Sequence, residues 1–227
     1  MKVSVIITTY NRPDALVKVL DGLGHQTRTA DEVIVADDGS GPDTSDLLQR
    51  FMKGAPYPLY HIRHEDRGFR AAEIRNKAIN KSSGTYIVSL DGDCIPDKHF
   101  ISDHVLLAEK GFFYQGKRVI VSKGLSPVLT HREVNSLPML FKYFISGKVS
   151  NAHHLIRLPM LPSWRSRRLS GIRSCNMGFF REDLFAVNGF NQDFVGWGRE
   201  DSELGVRLYR YGLRRKSHSF MAICYHL

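Results

Sequence analysis

The 227-residue chain has only three cysteines, Cys94, Cys175 and Cys224. They are odd in number and far apart, which excludes a disulfide scaffold and offers no metal-type spacing; free thiols in a reducing, cytoplasmic setting fit better. No apolar run approaches the roughly 20 residues that a membrane-spanning helix needs. The opening MKVSVIITTYNRP has a short β-branched apolar stretch without a small-residue cleavage site, so it does not read as a signal peptide. Repeats and low-complexity tracts are absent. Acidic residues are the minority charge, 23 against 32 Lys and Arg, for a formal net charge of +9. The excess is uneven: Arg157, Arg165, Arg167, Arg168 and Arg173 crowd one region, and Arg207, Arg210, Arg214, Arg215 and Lys216 another. Such clusters suit nucleic acid, anionic lipid or a phosphorylated substrate, or simply a solvated face.

What is present is a hydrophobic share of 42%, enough for a core, and an alternating pattern. Val3 to Thr8 reads as a buried strand. Pro13 suits the first turn of a helix carrying Leu16, Val19, Leu20 and Leu23 at helical spacing. Strands are expected at Glu32–Ala36, Pro58–Ile62 and Tyr86–Leu90, with helices at Thr44–Met52 and Arg70–Asn80. Strands alternating with helices imply βαβ units, and the loops past such strand ends form a ligand crevice. Three polar clusters fall there: Thr8–Arg12, Asp37–Ser40 and Asp91–Asp93.

The middle is less regular. Helices are expected at Lys98–Lys110 and Glu133–Ile145, the second kinked or shortened by Pro138, with a strand at Val119–Val121. Leu137 to Leu161 mixes apolar residues with lysines and histidines. It reads as a helical insertion, with an acceptor loop or membrane-touching surface as the other options. A strand pattern resumes at Cys175–Phe180. Leu204, Leu208 and Tyr211 form a helical stripe that Gly212 would end, and Phe220–Tyr225 is a final strand.

Two constellations carry chemistry. Asp91-Gly92-Asp93, after the strand YIVSL, can hold one hard cation such as Mg²⁺ or Mn²⁺. In GWGREDSEL, from Gly196, the glycines allow close backbone approach, Trp197 offers a large aromatic face and one donor, and Glu200 and Asp201 form an acid pair at a helix start. Capping alone would need one acid or serine.

VSVIITTYNRP, EVIVADDGS, RGFRAAEIRNKAI and YIVSLDGDCIP, in this order, resemble a family 2 glycosyltransferase of the GT-A fold. GWGREDSELGVRLYRYG resembles the C-terminal acceptor motif of galactosyltransferase-like and chondroitin-polymerase-like members. The resemblance covers Val3 to about Asp97 and about Ser174 to His226. It implies an α/β, Rossmann-like, mostly parallel central sheet flanked by helices, in one domain with a nucleotide-sugar part (1–97) and a less regular acceptor part (98–227). It also implies a UDP-sugar donor, although thymine is not excluded. Thr8, Tyr10 and Arg12 would lie along the nucleotide, Asp38 would accept from uracil, and Arg70, Arg75 and Asn76 would line the nucleotide or diphosphate. Asp91 would contact ribose or metal, and Asp93 and, after a strand, His226 would ligate Mn²⁺ or Mg²⁺. Asp201 would be the general base, with Glu200, Gly196 and Trp197 on the acceptor; the two acids could be exchanged.

The expected reaction is transfer of a hexose or N-acetylhexosamine to a glycan or anionic glycolipid, inverting rather than retaining, by a cytoplasmic enzyme in peripheral contact with the inner membrane face. A sugar-phosphate nucleotidyltransferase would want a Gly-rich phosphate loop, which TTYNRP lacks. A nucleic-acid- or glycan-binding protein without catalysis would not collect Asp38, Asp91, Asp93, Glu200 and Asp201, so no nucleic-acid partner is expected.

Overall fold

A computed structural model describes residues 1–196 and 198–227. Along the chain run β1 (Val3–Thr9), α1 (Pro13–Gly24), β2 (Glu32–Asp37), α2 (Pro42–Met52), β3 (Leu59–Arg63), α3 (Ala71–Lys81), β4 (Tyr86–Asp91) and β5 (Cys94–Pro96). Then come α4 (Phe100–Leu107), β6 (Phe112–Gln115), β7 (Lys117–Val121), α5 (His131–Val134), α6 (Leu137–Ile145), β8 (Val149–Ser150), a 3-10 turn (Ala152–His154) and β9 (Trp164–Ser166). The chain closes with β10 (Asn176–Phe180), α7 (Arg181–Ala186), α8 (Glu200–Arg210), β11 (Arg214–Ser217) and β12 (Ile223–His226).

The large sheet has the order β3-β2-β1-β4-β10-β6-β11-β9. Its β3-β2-β1-β4 half is parallel throughout, as βαβ crossovers require. β10 joins antiparallel to both β4 and β6. Alternation sorts the core. Val3, Val5 and Ile7 face α1 and α2, with Leu16, Leu20 and Leu48, in one cluster. Ile6, Ile34 and Ala36 face α3 and α8, with Ile74, Ala78, Leu204 and Leu208, in a second. Each large apolar side chain withdrawn from water contributes roughly 1.5–3 kcal/mol, so α8 is held to the parallel half of the sheet by apolar packing.

A second sheet, β5-β12-β7-β8, stands beside the first. Its β5–β12 pairing sets His226 opposite Cys94. α5 and α6 cover it through Val134, Leu140 and Tyr143.

The middle of the chain departs from expectation. The Lys98–Lys110 helix contracts to Phe100–Leu107. Pro138 does not kink one helix: Asn135 ends α5 and Pro138 opens α6, where its missing N–H costs nothing. The last strand begins at Ile223, after Phe220. Tyr211 is exposed and stands outside α8's buried stripe, while Gly212 does carry the positive φ of a helix stop.

Candidate active site

The ends of β1, β2 and β4 supply three loops, and α8 begins opposite them. A cleft of about 220 Å³ is bounded by Thr8, Tyr10, Arg12, Asp38, Arg75, Asp91, Asp93, Glu200 and Asp201. The DDGS turn is built around Gly39, whose φ is +98° and whose absent Cβ would lie 2.6 Å from the Asp66 backbone. No other residue fits there.

Arg75 is the centre of the cleft. It is buried, and α3 delivers it beneath the sheet ends. Its Nε donates to Thr8 Oγ1 at 3.0 Å. Its guanidinium lies 3.5 Å from Asp91, 3.5 Å from Glu200 and 3.8 Å from Asp201. Residues more than a hundred positions apart thus share one cation. Among the described residues, Asp91 Oδ1, Glu200 Oε2 and Asp201 Oδ1 are buried without a hydrogen-bond donor. Burial pushes the Asp91 carboxyl up to about 6; Arg75 pulls against this, and Asp93 and Asp201 add to it. Asp201 Oδ2 accepts from the Ser174 backbone N–H at 2.8 Å, which leaves its other oxygen beside the Arg75 guanidinium.

α8 starts without a side-chain cap: Arg199, at φ +70°, occupies the N-cap. Asp201 and Ser202 therefore do not serve as caps, and Glu200 and Asp201 occupy the first turn, where the helix dipole attracts anions. Gly196 is also left-handed and its N–H donates to Phe69 O at 3.2 Å. This bond ties the acceptor motif to the loop before α3. Trp197 lies outside the described residues.

Asp93 and His226 face each other at 3.6 Å, beyond hydrogen-bond length. The strand pairing that sets this is completed by Leu227 N–H donating to Asp93 O at 2.9 Å. Desolvation lowers the His226 pKa, against the pull of Asp93. Asp93, Cys94 and His226 bring ligand atoms within 4.8 Å of one another, and Asp91, with its orphaned buried oxygen, borders the same cleft as Asp93; imidazole and carboxylate donors of this kind fit a divalent cation.

Other expected contacts are placed differently. Asn76 does not line the cleft. It clamps the Phe190 backbone, donating to its carbonyl at 2.7 Å and accepting from its N–H at 2.8 Å. It borders a separate, larger cavity of about 550 Å³ that contains none of the four clustered carboxylates. Arg70 contributes its backbone: the N–H donates to Asp38 Oδ2 at 2.9 Å. Asp38 Oδ1 meets His64 Nε2 at 2.7 Å. Arg12, exposed, pairs with Asp14 at 3.2 Å, and the Tyr10 hydroxyl donates to Asp66 at 2.9 Å.

Sequence reasoning missed His64, Phe69 and Ser174. His64 follows β3 as the other polar clusters follow their strands, and that position was the signal available. It also missed that the three cysteines, distant in sequence, converge. Contact with Cys175 and Cys224, together with burial, raises the Cys94 thiol pKa well above its ordinary value, and all three are free and buried.

Comparison with known proteins agrees with this geometry. The glycosyl transferase family 2 profile matches residues 4–182, and that of the N-terminal domain of galactosyltransferase matches residues 161–227. The chain belongs to glycosyl transferase family 2, and its fold is GT-A. The chondroitin synthase of Escherichia coli is 26% identical over 92% of this chain and 32% of its own length. The structure of S. aureus TarS 1-349 in complex with UDP-GlcNAc superposes with a TM-score of 0.70 at 19% identity, covering 99% of this chain and 58% of that one. GalNAc-T7 with UDP, GalNAc and Mn²⁺ gives 0.72 at 15% identity, covering 100% and 44%. The chain spans about a third to a half of the length of the first curated relatives it matches. Family membership favours neither the nucleotidyltransferase nor the nucleic-acid-binding reading. Among the described residues no helix is long and apolar enough to cross a membrane.

Proposed function

We propose that the chain transfers a hexosyl or N-acetylhexosaminyl group from a UDP-sugar to a glycan or anionic glycolipid, with Mn²⁺ or Mg²⁺ bound by Asp91, Asp93 and His226. The observation that carries this reading is the meeting of the Asp91 and Glu200–Asp201 motifs on Arg75 within 3.8 Å. A bound cation would supply Lewis-acid stabilisation of the departing diphosphate. Arg75 adds fixed positive charge on the same side. Tyr10, Asp38 and Arg12 border the nucleotide end of the cleft.

Asp201 is the base. Its Oδ2 is fixed by Ser174, and its Oδ1 has no donor among the described residues. The acceptor hydroxyl oxygen bonds to the sugar's anomeric carbon and its proton passes to Asp201 Oδ1. The bond from that carbon to the diphosphate oxygen breaks, with inversion. Glu200, nearer full burial and 3.5 Å from Arg75, holds the acceptor side. The relatives support polysaccharide synthesis, since they include chondroitin and hyaluronan synthases. The TarS and GalNAc-T7 complexes support uracil as the base and, in the second, Mn²⁺ as the ion. Reaching a lipid-borne acceptor would bring the basic surface to the cytoplasmic face of a membrane.

The test is calorimetric titration of UDP with and without Mn²⁺, on wild type and Asp93→Ala. Manganese-dependent binding that the variant loses is the expected result. Folded wild-type protein that binds no UDP in either condition would overturn the reading.

A further inference from the structure

We infer that the outer face of α6 and the segment Ala152–Leu161 form an interfacial seat for an anionic lipid surface. α6 turns Leu140 and Tyr143 inward onto the small sheet. Its other apolar residues have nothing to cover them: Leu137 is 61% exposed, Phe141 62% and Ile145 70%. Phe141 and Phe144 line an apolar groove of about 530 Å³ with Leu155 and Ile156 from the following segment. Met160, in the same segment, is 97% exposed. That segment is held in place: Leu158 N–H donates to Phe220 O at 3.3 Å, and His218 bonds Leu161 O at 2.7 Å. A contiguous apolar area of this kind on a folded surface marks an interaction site.

Charge decides the occupant. Between Glu133 and Glu182 the chain has no carboxylate side chain, while Lys142, Lys148, Arg157, Arg165, Arg167 and Arg168 fall within that stretch. Asp103 engages Arg157 at 2.6 Å and Glu109 engages Arg165 at 2.9 Å. Among the described residues Lys142, Lys148, Arg167 and Arg168 have no acidic partner. A groove for another protein's helix would need no such exclusion of acids along the whole stretch. An apolar face with a cationic, acid-free surround is the pattern of a surface that enters a headgroup layer, with aromatic residues in the acyl boundary and lysines at the phosphates. The surface deepens the membrane-contact part of the proposed function and rests on that reading for its purpose. The binding itself requires neither UDP nor turnover.

The experiment is co-sedimentation of the full chain with vesicles of phosphatidylcholine alone or with added phosphatidylglycerol, at low and high salt. Phe141→Ser/Phe144→Ser and Lys142→Glu/Lys148→Glu are tested beside wild type, and the UDP titration of each variant is run in parallel. The expected result is partition to the anionic vesicles that salt weakens. Each lysine lost should cost roughly fivefold, and the phenylalanine pair at least about tenfold, with UDP binding unchanged. Equal binding to both vesicle types, or to neither, overturns the inference. So does a wild-type dimer that Phe141→Ser/Phe144→Ser dissociates, because the face then belongs to a second copy. Vesicle binding without UDP binding would leave the lipid seat standing and remove the transferase reading.

Discussion

Replacing Arg75 by Met tests the centre of the cleft. Methionine keeps much of the side-chain length and removes the charge. At an effective dielectric constant of about 20, a pair at 3.5 Å is worth about 4–5 kcal/mol before desolvation, and Arg75 has two such contacts plus one at 3.8 Å. Freeing the guanidinium from burial returns several kcal/mol, so the net loss should fall near the 3–5 kcal/mol seen when one partner of a buried pair is removed.

A pH signature accompanies it. Asp91 is raised to about 6 from an ordinary 3.8, so between these values the folded state binds more protons than the unfolded one. Stability from this group therefore rises on acidification and falls as pH climbs through about 6, by up to about 3 kcal/mol. Without Arg75 the carboxyl is raised further, so the deficit of Arg75→Met should shrink when urea unfolding is repeated at pH 5.5 instead of 7.5. Arg75→Lys keeps the charge but not the fork and should fall between. A loss under about 1 kcal/mol with no pH dependence would refute the account of Arg75 as the shared counter-charge.

Asp201→Asn keeps an acceptor for the Ser174 N–H and removes the base; transfer should drop by about 10² to 10⁴ while UDP affinity, by calorimetry, stays within a few-fold. Asn76→Ala strands the buried N–H and C=O of Phe190 and should cost about 2–4 kcal/mol in urea unfolding, again with UDP affinity unchanged. His104 tests acid stability. Asn176 Nδ2 donates to Lys117 O and Ala222 O, so its Oδ1 must accept from His104 Nε2–H at 3.0 Å. The other ring nitrogen is buried without a partner. Desolvation lowers this His to about 4, so its stabilisation is complete above about 6.5 and is lost, up to about 3 kcal/mol, as pH falls through 4. His104→Phe should flatten that limb of the unfolding profile.

The parallel half of the large sheet was legible because β1, β2 and β4 are β-branched runs ending in polar turns, and α1 and α3 carry apolar residues at helical spacing. The second half was not. β6, β9 and β11 are short, and RRKS of β11 carries no hydrophobic alternation; backbone pairing to β6 makes it a strand. The site followed the same division. Asp91, Asp93, Glu200 and Asp201 could be nominated from local pattern, and Arg75 from the motif around it. The role of Ser174 is a backbone N–H, which no side chain advertises. The orientation of Asn76 depends on which side of α3 meets Phe190, a contact 114 residues away. The cysteine cluster is long-range in the same way: spacing in sequence says nothing about three strands that meet.

The β4–β10 seam has a consequence for engineering. Asp91 ends one strand, and Asn176 pairs with Leu90 across the ladder, one residue from Cys175 and two from the Ser174 that holds Asp201. Asp91 and the Ser174–Asp201 contact are therefore indexed to each other by strand register. Chimaeras that graft a foreign second half onto the parallel half of this sheet would be tolerant of loop length but not of frame. A one-residue offset at the seam would turn every side chain of β10 to the opposite face and carry Ser174, with the carboxylate it holds, out of line with Asp91.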